Sequence, residues 1–242
     1  MGISKVLRDT LIIAWIKSYP DFRRNPLLLL LLAMISAIPL FFMLMFSSGG
    51  NVIAHGLVGA MVASVSFAGV MSGIQDISWD RYVKIREMIV AMPVHPISYA
   101  LGVALAPLII SLPSLIFFGA IAIWLGALTF TSMLWAAIAL ILCWATVSSI
   151  GFLIATYLFK AVPFTLNNLS NILALLLGFV PPVYYAEEIL GNFSWIAAVF
   201  PTSNAVGLIR YYSGSLSLSF EIVAIRWLIL IGTAIVSAVI TV

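Results

Sequence analysis

The chain has 242 residues, 64% of them hydrophobic and 8% charged, with a mean hydropathy of +1.21. A soluble domain carries about 25% charged residues, so a water-soluble enzyme or a nucleic-acid-binding module is excluded and a polytopic, all-α membrane protein is expected. The length allows about six spans of ~20 residues with short connections, which leaves no room for a soluble catalytic domain, and the net charge of +3 matters through where it falls.

Residues 1–25 open with Lys5, Arg8, Asp9, Lys17, Asp21, Arg23 and Arg24 spread through an apolar background. The charged region and the apolar run after it are both too long for a cleavable signal peptide. Ile3, Leu7, Leu11 and Ala14 share one helical face, which Ile12, Ile13, Trp15 and Ile16 widen. This pattern predicts an amphipathic helix lying in the membrane interface; a frayed, lipid-contacting terminus is the plainer reading. A first span is expected over 26–46, with Pro26 at its start, where a missing N–H costs nothing. After the polar turn 47–51, a second span over 52–74 is rich in Gly, Ala and Ser. Small residues let membrane helices approach closely, so this span is expected to pack against protein.

The stretch 75–96 is a charged island holding Asp76, Asp80, Arg81, Lys84, Arg86 and Glu87, six of the chain's 19 formal charges. A charge at the centre of a membrane helix costs about 2.5–3.5 kcal/mol on insertion scales, so the island belongs in water or in another protein. Ile85, Met88, Ile89 and Met92 recur on one helical face, Asp80 and Lys84 form an i, i+4 pair, and Pro93 and Pro96 stop the run. A helix over 79–92 is predicted. It either lies on lipid headgroups or docks on a soluble partner.

A third span, 97–125, contains Pro107 and Pro113 and is long enough to tilt or kink. The turn 126–132 leads to a fourth span, 133–158, and a tight connection at 159–164 carries Lys160. The fifth span, 165–180, holds Asn167, Asn168, Ser170 and Asn171 in its first turns, with Asn167 and Asn171 on one face. These amides either line a substrate path or hydrogen-bond between helices. Pro181 and Pro182 break the helix, and 184–214 reads as short amphipathic pieces whose aromatic residues suit the interface. The last span is expected over 221–242.

Six spans put both ends on one side. Lys5, Arg8, Lys17, Arg23, Arg24, Arg81, Lys84, Arg86 and Lys160 share that side, against Arg210 and Arg226 on the other. Nine basic residues against two place both termini and the charged island in the cytoplasm.

Motifs for chemistry are missing from the sequence. It has no phosphate loop of the G-x-x-x-x-G-K-[ST] kind, no G-x-S-x-G and no H-E-x-x-H. Its single cysteine, Cys143, lies in an apolar run, and His55 and His95 fall on opposite sides in this topology, an interfacial residue and a turn residue. No metal or cofactor is expected in this chain. The spans also lack a charge near the midplane, which proton- and ion-coupled transporters use. A secondary transporter is therefore disfavoured, and energy for transport would arrive from outside the chain.

Two segments carry a family resemblance. In the first, Glu87, Pro93, Val94, Pro96, Tyr99, Leu101 and Gly102 follow the order of a Gly-Thr-Leu-Glu, an apolar run, Pro-Val-x-Pro and a short lead to Gly, with Lys84, Ile85 and Arg86 replacing Gly-Thr-Leu. In the second, Pro181, Pro182, Val183, Tyr184 and Tyr185 are followed by Trp195, Phe200, Pro201 and Arg210, with Phe200 where Asn is common. The chain resembles, over its whole length, the membrane subunits of ABC-2 type transporters, the permeases of drug, polysaccharide and lipid exporters. The resemblance implies six spans with an N-terminal interfacial helix (1–25), a cytoplasmic coupling segment (75–96) and an extracellular re-entrant hairpin (181–214). It also implies a dimer with a second copy or a similar permease, and a separate cytoplasmic ATPase subunit that binds ATP and Mg. Arg81, Lys84, Arg86 and Glu87 become the expected ATPase contacts, and Asn167, Asn168 and Asn171 the mouth of the substrate path. Pro181, Pro182, Phe200 and Pro201 shape an extracellular gate, and spans 2 and 5 line a cavity between subunits. An apolar lining with a few amides suits an amphipathic, drug-like or lipid-like substrate. A membrane scaffold of the haem-delivery type and an ATP-independent channel or secondary transporter stand as alternatives.

Overall fold

The computed structural model describes residues 3–46, 50–84, 94–158 and 160–241. Among them every regular element is helical. The elements are α1 (Ile3–Arg24), α2 (Pro26–Phe46), α3 (Gly50–Tyr82), α4 (Pro96–Trp124), α5 (Phe130–Tyr157) and α6 (Pro163–Phe179). A 3-10 turn (Glu187–Phe193), α7 (Ser194–Val199), α8 (Pro201–Tyr212) and α9 (Phe220–Thr241) complete the order.

Among the described residues four helices are long and apolar enough to cross a membrane: Val52–Tyr82, Pro96–Trp124, Phe130–Tyr157 and Phe220–Ile240. The bent pair Ser4–Arg24 and Leu29–Met45, which meet at 84°, passes the same test together, while Pro163–Phe179 is apolar but shorter. Large side chains such as Leu134, Ile141, Leu228, Ile235 and Val239 stand exposed on these helices. Water does not tolerate such continuous apolar faces, and hydrocarbon does, which makes this a membrane protein.

α3 is the axis. Every residue from 56 to 70 is buried, because α2, α4, α5, α6 and α8 surround it. Its small residues allow this. A Cβ on Gly151 of α5 would stand 3.2 Å from the Val70 carbonyl oxygen and 3.4 Å from Gly73 Cα, so the α3–α5 crossing is a backbone-to-backbone contact at Gly73 and Gly151. Hydrogen bonds supplement the packing. Ser64 donates to Ser36 across α3 and α2 at 2.9 Å, and the Trp144 indole reaches the Ala104 carbonyl from α5 to α4 at 2.9 Å. The sequence expectation that this helix packs against protein holds.

One boundary differs from the sequence reading. α3 does not stop at 74 but continues to Tyr82, eight residues into the charged island, so the first part of the expected 79–92 helix belongs to α3 and its remainder, 85–92, lies outside the described residues. Lys84 has φ 61°, a left-handed conformation that ends a right-handed helix, so the Asp80–Lys84 pair does not form. α1 lies across α4 with Thr10, Ala14 and Ser18 buried, while Leu7, Leu11, Ile12, Trp15 and Ile16 face outward. That apolar outer face is what an interfacial helix presents to lipid.

Candidate functional site

The polar side chains gather at two places along α3: its charged end, and the hairpin between α6 and α9. At the charged end, Asp80 is buried (3% exposed). Lys17 Nζ of α1 donates to one carboxylate oxygen and the Tyr99 hydroxyl of α4 to the other, each at 2.5 Å. The next residue, Arg81, donates from Nη2 to the Ala155 carbonyl at 2.6 Å, in the last turn of α5. Carbonyls in that turn lack helical donors, and a cation there suits the helix dipole. Asp80 and Arg81 thus tie α1, α4 and α5 to one turn of α3, which explains why the helix can carry charges past 74. His95 caps α4, its Nδ1 accepting from the Ile97 N–H at 3.2 Å, in line with its reading as a turn residue.

Of the four expected partner contacts, Lys84 is exposed and Arg81 is half-buried against α5. Arg86 and Glu87 lie outside the described residues, as do Ile85, Met88, Ile89, Met92 and Pro93.

The amide cluster sits where α6 begins beside α3. Gln75 Nε2 donates to the Ser170 hydroxyl at 2.9 Å, and that hydroxyl donates to the Asn167 carbonyl at 2.7 Å. Asn167 and Asn171 are half-buried and Asn168 is exposed. The tie between the helices therefore runs through Gln75 and Ser170, leaving the three asparagine amides at the open edge of α6. That edge continues through Ile172, Leu175 and Leu176. The expectation that span 2 also lines an intersubunit cavity is not met over 56–70, where α3 has no free face; α6 does have one.

The hairpin is built from breaks. Pro181, Pro182, Val183 and Tyr184 are buried and turn the chain back against α3, where the Tyr184 hydroxyl donates to the Ser36 carbonyl of α2 at 2.8 Å. Gly191 (φ 52°) permits a kink in the 3-10 turn. Half-buried Phe200 is extended and separates α7 from α8, with Pro201 in the first turn of α8. Asn204 Nδ2 fixes this corner through the Ala198 and Phe200 carbonyls, at 2.7 and 3.1 Å. Every residue from 201 to 210 is buried. The reading of 184–214 as interfacial amphipathic pieces is therefore corrected for α8, which is a short internal helix. Its composition is mixed because Thr202, Asn204 and Arg210 bond to carbonyls inside the protein.

Two arginines secure this region. Arg210, 2% exposed, donates to the carbonyls of Tyr185 (3.1 Å), Val183 (2.7 Å) and His55 (3.2 Å), joining α8 to the bend and to α3. Arg226 of α9, 7% exposed, pairs with Glu187 of the 3-10 turn. Gly207 makes the room, since a Cβ there would lie 2.0 Å from Arg226 Nη1. Tyr212 of α8 stacks on Trp135 of α5 at 4.6 Å and accepts from the Trp227 indole of α9 at 3.2 Å.

The sequence reading missed the Lys17–Asp80–Tyr99 knot, since no short-range pattern links those positions. The Arg226–Glu187 pair had a signal: an arginine six residues into an apolar run requires a partner. No group of three or more metal-binding side chains occurs among the described residues. Comparison of the chain with protein-family models finds no match, and comparison with curated proteins finds none.

Proposed function

We propose that this chain is the membrane-spanning subunit of an ATP-driven exporter of the ABC-2 type, crossing the cell membrane six times with both termini in the cytoplasm. It works as a dimer with a second copy or a similar permease, beneath which a cytoplasmic ATPase subunit binds ATP and Mg. The supporting observation is the proline break after α6, followed by helix α8 (Pro201–Tyr212), buried from 201 to 210, and the last apolar helix. This arrangement supports reading the segment as the re-entrant hairpin that the motif order suggests.

In this reading the ATPase engages the segment around Lys84, Arg86 and Glu87. Its closure displaces the charged end of α3. The bonds of Asp80 and Arg81 make α1, α3, α4 and α5 move together at that end, a rigid-body shift of the kind that switches packed bundles between two states. Asn167, Asn168 and Asn171, on the open edge of α6, meet the substrate between subunits. Pro181, Pro182, Phe200 and Pro201 shape the outer gate and touch no substrate. An amphipathic, drug-like or lipid-like molecule suits an apolar edge bearing three amides.

The test is affinity purification from native membranes in mild detergent, with and without Arg86→Ala and Glu87→Ala. The reading expects a stoichiometric soluble ATPase that is lost in the double variant. A chain that purifies alone overturns it. An ATPase found together with an assembling membrane complex, and no vesicle transport, moves the scaffold reading ahead.

A further inference from the structure

We propose that the elbow between α1 and α2 binds the headgroup of an anionic phospholipid. Tyr19, Pro20, Arg23 and Arg24 line a concavity of about 410 Å³ there, within the ~300–1,000 Å³ range of small-molecule clefts. Arg23 is held on its wall. Its Nη1 donates to the Tyr19 hydroxyl at 3.0 Å, and its guanidinium carbon lies 5.9 Å from the Tyr19 ring centroid. The remaining N–H donors of Arg23 are left for a ligand. Arg24, the next residue, is exposed and bonds to no side chain among the described residues. Two guanidinium forks on one short arc match a phosphate, whose oxygens accept paired N–H donors.

The surroundings distinguish a lipid from a free anion. The outward apolar face of α1 runs up to the hollow, with Trp15 against Tyr19 and both Trp15 and Ile16 exposed. α2 begins just after Arg24, turned by 84° from α1, and Leu27, Leu30, Leu31 and Met34 stand exposed along it. A cationic hollow at the end of an exposed apolar face fits a molecule with an anionic head and long chains. α1 carries five basic residues against two acidic ones, so the local field favours such a lipid as well. The inference rests on the reading of α1 as a helix at the membrane surface. If Arg23 and Arg24 served only the carbonyls at the end of α1, lipid identity would not matter.

The experiment is native mass spectrometry of the whole chain in detergent. Phosphatidylglycerol or phosphatidylcholine with the same acyl chains is added, with inorganic phosphate as competitor. Phosphatidylglycerol should be retained over phosphatidylcholine, with about a five-fold loss of that preference for each arginine removed, as expected for a basic residue at an anionic surface. Arg24→Gln should reduce it, Arg23→Gln with Arg24→Gln should bring the two lipids to parity, and Arg8→Gln, on the same helix but bonded to Asp9, should leave it intact. Equal retention of both lipids by the native chain overturns the proposal, and so does a preference that survives the double variant or falls equally with Arg8→Gln. Displacement of the lipid by inorganic phosphate at matched concentration reduces the site to a simple anion site and overturns it too. A nitroxide on Trp15→Cys in vesicles reports separately. A label in bulk water sinks the interfacial placement of α1, whatever lipid the pocket retains.

Discussion

Asp80 joins three helices through two short bonds, to Lys17 and to Tyr99, and its burial makes each partner consequential. Removing one member of a buried ion pair leaves an uncompensated charge and costs about 3–5 kcal/mol, whereas removing both can be nearly neutral. Lys17→Met should therefore lower the thermal midpoint in detergent sharply, and Lys17→Met with Asp80→Leu should recover much of the loss. Tyr99→Phe should cost less, about 1–3 kcal/mol for an unmade bond to a buried group. Simple additivity of the Lys17 and Asp80 substitutions would show that the pair does not couple. The hairpin offers a parallel case. Gly207→Ala places a methyl where the Arg226 guanidinium now lies, so it should destabilise the protein about as much as Arg226→Ala. Combining it with Arg226→Ala should add little further loss. Independent losses would mean that Gly207 serves something other than the Arg226–Glu187 pair.

Among elements, the apolar helices were legible because bilayer thickness and hydropathy act over many residues at once. The expected 97–125, 133–158 and 221–242 differ from α4, α5 and α9 by at most three residues at either end. What could not be read was any feature decided by distant partners. α3 runs on through Asp80 and Arg81 because Lys17, Tyr99 and the Ala155 carbonyl, from three other helices, satisfy them. α8 disappears into the interior because Arg210 finds carbonyls at positions 55, 183 and 185. The asparagines of α6 stood out in sequence, yet the contact with α3 is made by Gln75 and Ser170, because side-chain direction depends on how α6 is rotated. The small residues of α3 were informative about packing, and the crossing they create can be tested. Gly151→Leu should force α3 and α5 apart and reduce the yield of folded protein on size exclusion. Gly232→Leu, in α9 with nothing within 4 Å of its Cβ position, should be tolerated. Equal tolerance at both sites would show that the close approach at Gly73 and Gly151 does not hold the bundle together.

For the whole molecule the number of crossings turns on α6. Among the described residues four helices meet the criteria of length and composition. α6 has 17 residues, about 25 Å at 1.5 Å per residue, short of the ~30 Å hydrocarbon core. Its run is extended by the buried bend at 181–184, where backbone groups are satisfied by protein, the condition under which irregular chain is tolerated at membrane depth. If α6 crosses, Glu187 and Arg226 lie opposite the charged end of α3, and nine basic residues face two. Those two are already engaged, Arg226 by Glu187 and Arg210 by three carbonyls, so the far side presents little free positive charge and the orientation is strongly biased. The hairpin meets α3 at His55 and Gly59, about 37 Å of helix away from Asp80 at 1.5 Å per residue, so a hairpin on the same side as Lys84 would mean that α3 does not cross either, and the bias would be lost. Single cysteines separate the cases, in a Cys143→Ala background that removes the buried native thiol. Lys84→Cys, Trp124→Cys and Asn192→Cys all sit at exposed positions and can be labelled with a membrane-impermeant maleimide in sealed vesicles of known orientation. Six crossings place Asn192 with Trp124 and opposite Lys84. Labelling of Asn192 from the same side as Lys84 would mean that neither α3 nor α6 crosses and would place Glu187 on the side of the charged island. It would also remove the extracellular gate from the proposed transport cycle.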